Sequence, residues 1–96
     1  MTMTKFFFGA DEWNGLSKLI EEAGEVLQLG GKLLGSDGDT NHFDGSDLGD
    51  RLEEEIGDLL AAIEFFVVTN PRLSRANIED RRYGKLKQFY QWSDPK

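Results

Sequence analysis

Ninety-six residues make one domain with little interior to spare, because a chain of this size buries only roughly 60–65% of its unfolded surface; pairing between copies is a common remedy. A formal net charge of −7 excludes nucleic acid as a passive electrostatic partner. It leaves room for a phosphate substrate, since bound cations reverse the local sign. The absence of cysteine excludes a disulfide framework, a thiolate metal site and a cysteine nucleophile, and fits a reducing cytoplasm.

The chain opens with an irregular or short extended lead-in over residues 1–10. Phe6, Phe7 and Phe8 are too few for a signal-peptide core and read as core packing, with substrate stacking as the other use. Asp11 is the expected N-cap of a first helix running to about Leu29, with Glu12 near its positive end. Within it Leu16, Leu19, Ile20, Ala23, Val26 and Leu27 recur at helical spacing as one apolar stripe. Trp13 reads either as core or as the wall of a base pocket.

Gly30-Gly31 is the expected stop of that helix, with Lys32, Leu33 and Leu34 adding a further turn and Lys32 in reach of a phosphate. Residues 35–49 read as loop. Asp37-Gly38-Asp39-Thr40-Asn41 imitates the start of a calcium loop, but His42 stands where Gly is needed and Leu48 where Glu is needed. His42, the single histidine, reads as a solvated loop residue. A second helix, capped by Ser46 or Asp47, extends to about Thr69, with Leu52, Ile56, Leu59, Leu60 and Ile63 as its stripe. Its second half (Ile63, Phe65, Phe66, Val67, Val68) is apolar nearly all round, and one small chain can hardly cover it. A homodimer or homotetramer follows as the expectation. The run from Leu59 to Val68 is far shorter than a membrane span, so no membrane partner is expected.

Asn70-Pro71 breaks the helix. A third helix, from about Ser74 to Trp92, carries Ile78, Leu86, Phe89, Tyr90 and Trp92 as its apolar set and much of the basic charge. Arg82 and Lys85 read equally as a solvated face or as holders of substrate phosphates.

The chemistry lies in two acidic clusters. Glu22 and Glu25 are three residues apart and Glu21 and Glu25 four apart, all on one helical side, and no Lys or Arg follows at the next turn. Glu55 and Asp58 repeat the three-residue spacing on the second helix. Antiparallel packing through the stripes brings Glu22, Glu25, Glu55 and Asp58 to one space, and an oxygen-only donor set suits Mg²⁺ or Mn²⁺ rather than zinc. Such a site serves metal-assisted phosphoryl chemistry. The chain has no Walker A loop, no dinucleotide glycine fingerprint and no Ser-His or Cys-His pair to do otherwise.

Glu21-Glu22-Ala23-Gly24-Glu25 followed by Glu55-Ile56-Gly57-Asp58 resembles the EExxE…ExxD signature of MazG-like nucleotide pyrophosphohydrolases. These belong to the all-α NTP pyrophosphatase superfamily, with the dimeric dUTPases and phosphoribosyl-ATP pyrophosphatases. The ending Arg82-Tyr83-Gly84-Lys85-Leu86-Lys87-Gln88-Phe89 is similar to that of the short stand-alone, often phage-borne members. The resemblance implies a single MazG-like domain over 1–96, an all-α bundle completed by oligomerisation, and a cytoplasmic setting, the host's if phage-encoded. It implies an enzyme that splits a nucleoside triphosphate with Mg²⁺ into monophosphate and pyrophosphate. Glu22, Glu25, Glu55 and Asp58 match the metal ligands. Glu21 and Glu54 match the accompanying acidic positions, where a second metal or the general base sits, and Lys85 falls near a basic position of the third helix. The long Gly/Asp-rich interval departs from the family pattern.

Base choice then falls to Trp13, Asn14 and Ser17, the 35–49 loop and a neighbouring subunit. The paired donor and acceptor of Asn14 point to a purine, guanine first, with dUTP as the runner-up. A dUTPase-like or phosphoribosyl-ATP pyrophosphatase-like enzyme is the alternative within the superfamily. Outside it stand an acidic bundle whose clusters are solvated faces, and an acidic protein that sequesters a basic partner.

Overall fold

The structure, a computed structural model of the chain, describes residues 13–93; the readings placed on Phe6–Phe8, Asp11 and Glu12 lie outside them. Three helices follow in order, α1 (Leu16–Gly35), α2 (Leu48–Thr69) and α3 (Arg75–Trp92). The described residues hold no strand, only an isolated bridge between Asn41 and Asp47. The all-α expectation holds at that level.

Helix α1 starts later and ends later than the sequence predicts. Its cap is Gly15, at φ 88°, with no side-chain cap bond. A Cβ at Gly15 would lie 3.0 Å from the ring of Phe65, so the left-handed turn and the close ring both call for glycine. At the other end the helix passes straight through Gly30-Gly31 to Gly35. Two interior glycines cost about 1 kcal/mol each relative to alanine, and Leu29 and Leu33, on either side of them, turn inward in the α1–α2 hairpin. Termination comes at Asp37 and Gly38, with φ 55° and 87°, where the Gly38 N–H donates to the Leu33 carbonyl at 2.8 Å.

Helix α2 has the expected cap. The Asp47 carboxylate accepts from the Asp50 N–H and the Thr40 hydroxyl, both at 3.0 Å, and these bonds hold its pKa below the usual range. At the far end Asn70, 4% exposed, donates its side-chain amide to the carbonyls of Asn14 and Phe66, each at 2.7 Å. Trp13 stacks on Phe66 at 6.1 Å, and the Arg72 guanidinium lies 4.4 Å over the Trp13 ring. The end of α2 is thereby fastened to the start of α1, and the two form an antiparallel hairpin.

Each predicted stripe divides in two. Leu19, Val26, Leu29 and Leu33 of α1 turn inward with Leu48, Leu52, Leu59, Ala62 and Phe66 of α2. Ile20 and Leu27 of α1, and Ile56, Leu60 and Ile63 of α2, stay exposed. Helix α3 is capped by Ser74, whose hydroxyl accepts from the Asn77 N–H at 3.1 Å, and meets α2 through the Arg75–Glu64 pair at 2.9 Å. It buries none of its residues. No described helix is long and apolar enough to cross a membrane.

Candidate metal centre

The inward row of α1 contains one charged residue among its leucines. Glu22, one turn after Leu19 and one before Val26, is only 9% exposed. Antiparallel packing places it across from Glu55 and Asp58, which sit one turn apart on α2 because α-helical neighbours lie three or four residues apart. A carboxylate oxygen from each of Glu22, Glu55 and Asp58 lies within 4.8 Å of the others. Burial pushes the Glu55 carboxyl above its usual range, and the negative charges of Glu25, Asp58, Glu22 and Glu54 push in the same direction.

Three of the four expected ligands therefore converge. Glu25 stays exposed and outside the trio, although its charge is the strongest neighbouring influence on Glu55. Glu21 and Glu54 are also exposed. The positive partner missing from the sequence reading precedes the glutamates instead of following them. Lys18 reaches Glu21 at 3.3 Å and Glu22 at 3.5 Å, at the i−3 and i−4 spacing that was open to inspection. Its ammonium is held protonated by these bonds, Glu21 first.

Beside the trio is an open cavity of about 340 Å³ lined by Lys18, Glu22, Asp58, Ala61, Ala62 and Phe65. Asp58, Ala61, Ala62 and Phe65 follow at i, i+3, i+4 and i+7 and so form one stripe of α2. The small alanines leave the space, and Phe65 closes one end of it.

The expected substrate-contacting residues are dispersed. Trp13 is engaged by Phe66 and Arg72, and Asn14 offers its backbone carbonyl to Asn70 while its side chain is exposed. Ser17 is exposed on α1. Lys32 lies ten residues beyond Glu22, about 15 Å along the helix. Arg82 pairs with Glu79 at 2.9 Å and lines a separate groove with Leu60, Ile63 and Ile78. Lys85 sits 5.4 Å over Trp92. None of the six lines the cavity beside the carboxylates.

The donor chemistry fits a hard divalent cation: all oxygen, three carboxylates from two helices, with the Lys18 ammonium beside Glu22. The calcium-like opening of the loop is engaged internally, with Asp39 accepting from the backbone and side chain of Asn41 at 3.0 and 3.2 Å. A scan against models of protein families finds no match, and neither the curated proteins nor the solved structures return a similar chain.

Proposed function

We propose that the chain is a metal-dependent nucleoside triphosphate pyrophosphohydrolase of MazG-like type, converting a (d)NTP and one water into a (d)NMP and pyrophosphate. The observation that carries this reading is the convergence of Glu22, Glu55 and Asp58 from two helices. Like charges do not gather in a half-buried space unless something offsets them, and Lys18 alone leaves an excess of negative charge. The resemblance of the two acidic motifs to the MazG-like signature points to the same chemistry.

Glu22, Glu55 and Asp58 would hold Mg²⁺ or Mn²⁺, and Glu25, one turn beyond Glu22, would join them by a change of rotamer. The cation supplies charge neutralisation on the phosphates and a more acidic bound water. Glu21 and Glu54, exposed at the same clusters, stand free of the trio to accept the proton of the attacking water. Lys18 adds a point charge for a phosphate oxygen. The sugar and base take the space over Ala61 and Ala62, with Phe65 as the apolar wall. Seven residues separate Asp58 from Phe65, about 10 Å of helix, a span that suits a nucleotide laid along α2. In this arrangement Arg82 and Lys85 do not contribute from the same chain, and base selection passes from Asn14 to the cavity walls. Purine, with guanine first, and dUTP remain the two substrates to compare.

The test is a panel of NTPs and dNTPs incubated with Mg²⁺, with products separated by chromatography. Monophosphate and pyrophosphate are expected from at least one of them. Diphosphate and orthophosphate would indicate a different cut. No turnover across the panel would favour an acidic protein that sequesters a basic partner.

A further inference from the structure

Lys18 stands at a helix position that does not favour its charge. With Gly15 as the cap, Leu16, Ser17 and Lys18 open α1. There the unpaired backbone N–H groups make the helix end positive and favour anions, yet no acidic side chain occupies that first turn. The order of the pair is also the weaker one, because a lysine four residues before a glutamate stabilises a helix less than the reverse. Helix stability alone does not account for a cation at this position.

Its contacts do. The ammonium lies 3.5 Å from a Glu22 carboxylate oxygen and 3.3 Å from one of Glu21. The two acceptors differ in their surroundings: the Glu22 side chain is 12% exposed and that of Glu21 58%. Glu22 lines the cavity and supplies one corner of the trio with Glu55 and Asp58. Its carboxylate therefore serves both a built-in cation and the space that suits an added one. An ammonium and a divalent cation that draw on one carboxylate repel each other. Lys18 has room to yield, since its charge rides on a flexible four-carbon stem and Glu21 is already a second partner on the more exposed side.

We propose that Lys18 is a displaceable counter-ion of Glu22, bound to that carboxylate in the metal-free chain and displaced from it when a divalent cation binds at Glu22, Glu55 and Asp58. Lys18 thereby sets the affinity of the site for the cation without touching it. This rests on the metal reading above and adds a positioning residue that acts through Glu22. The exchange puts a double positive charge where a single one stood, and it leaves the ammonium at the cavity whose lining it already joins. Linkage makes the effect reciprocal: by whatever factor the cation weakens the Lys18–Glu22 pair, the pair weakens binding of the cation.

Lys18→Met removes the charge with little change in helix propensity. Melting of the full chain by circular dichroism, with chelator and with saturating Mg²⁺, reads the two states separately. Calorimetric titration with Mg²⁺ alone reads the affinity, and neither measurement needs turnover. Without metal the variant should melt about 2–6 °C below the wild type, as loss of a partly exposed ion pair predicts. With saturating Mg²⁺ that gap should shrink to less than half, and the variant should bind Mg²⁺ at least about twofold more tightly. An equal fall with and without Mg²⁺ would overturn the proposal, because a lysine with a merely structural role is not displaced. A metal-free variant that melts as high as the wild type would overturn it too, since any tighter binding would then reflect repulsion at a distance. If neither chain bound Mg²⁺ while the metal-free gap persisted, the metal reading itself would fall, and the displacement with it.

Discussion

The two sides of the α1–α2 hairpin are written in the same helical register and face opposite demands. One side gathers Lys18, Glu22 and Asp58 around a cavity, with Glu55 close to Glu22 and Asp58; the other displays Ile20, Leu27, Leu34 and Leu60 to solvent. Between them runs the narrow inward row of Leu19, Val26, Leu29 and Leu33. Two apolar rows on one helix, the inward one and the exposed one, explain why α1 is apolar over more of its circumference than a surface helix needs. An acidic face repels its like, and an apolar face avoids water.

The comparison breaks first at the carboxylates. Asp58→Asn or Glu55→Gln should lower Mg²⁺-dependent turnover by at least about 100-fold, beyond the 10–100-fold that loss of an outer-sphere partner costs. Without metal the same variants should melt no lower than the wild type, because each removes a like charge from the trio. Full turnover in both variants would place the site elsewhere.

On the apolar side, where the oligomer expected from the sequence would pair, Leu27→Lys should lower the mass by half or more, with the Mg²⁺ response of the remaining folded chain unchanged. Light scattering and a metal titration followed by circular dichroism separate the two effects. If the metal response disappeared while the oligomer persisted, the two faces would not be independent.

At the join between the sides, Gly15→Ala imposes a left-handed φ on a residue with a Cβ, costing about 1–2 kcal/mol, and drives that Cβ into the Phe65 ring. Thermal melting should fall by roughly 4–15 °C. Asn70→Leu removes the 2.7 Å bonds to the carbonyls of Asn14 and Phe66, leaves them the longer contacts of the Thr69 hydroxyl at 3.3 and 3.4 Å, and should cost about 1–3 kcal/mol. An unchanged melting point in either would mean that the hairpin is not fastened at this end.

Much of this was legible in the residues. Asp47 and Ser74 cap their helices as their chemistry dictates, Asn70-Pro71 ends α2, and of the four carboxylates whose matched spacings, Glu22–Glu25 and Glu55–Asp58, pointed to one space, Glu22, Glu55 and Asp58 come together. Local signals misled where packing outweighed them. Gly30-Gly31 reads as a stop, yet inward-facing leucines on both sides carry the helix through. Helix α1 begins at Leu16 with Gly15 as its cap, a turn set against Phe65, fifty residues away. A single stripe was expected where two exist, since periodicity measures how often apolar residues recur but not which neighbour each one meets. Trp13 and Arg82 suit a nucleotide by type; their partners Phe66, Arg72 and Glu79 are visible only in three dimensions.

The smallest effect is also the one whose sign discriminates best. Glu55 is held above its usual range by burial and by four negative neighbours, so the folded chain binds that proton more readily than the unfolded chain. Its contribution to stability is complete below the unfolded value and is lost as pH rises through the raised folded value. Asp44 and Asp47 act oppositely. Asp44 is held low chiefly by the Ser46 hydroxyl and Asp47 chiefly by the Asp50 N–H, and they stabilise above the unfolded value and cease to as pH falls through the lowered one. A metal-free melting curve should therefore rise modestly on acidification from neutral toward the ordinary carboxylate range, then fall below it as the Asp47 cap protonates. With saturating Mg²⁺ the first segment should reverse, because cation binding requires the ionised Glu55. Glu55→Gln should abolish both the rise and its reversal while sparing the acid fall. Melting temperatures measured with and without chelator at several pH values settle it: a metal-free curve that falls steadily from neutral pH would show that the carboxylates are not crowded, and would remove the reason for a cation between these helices.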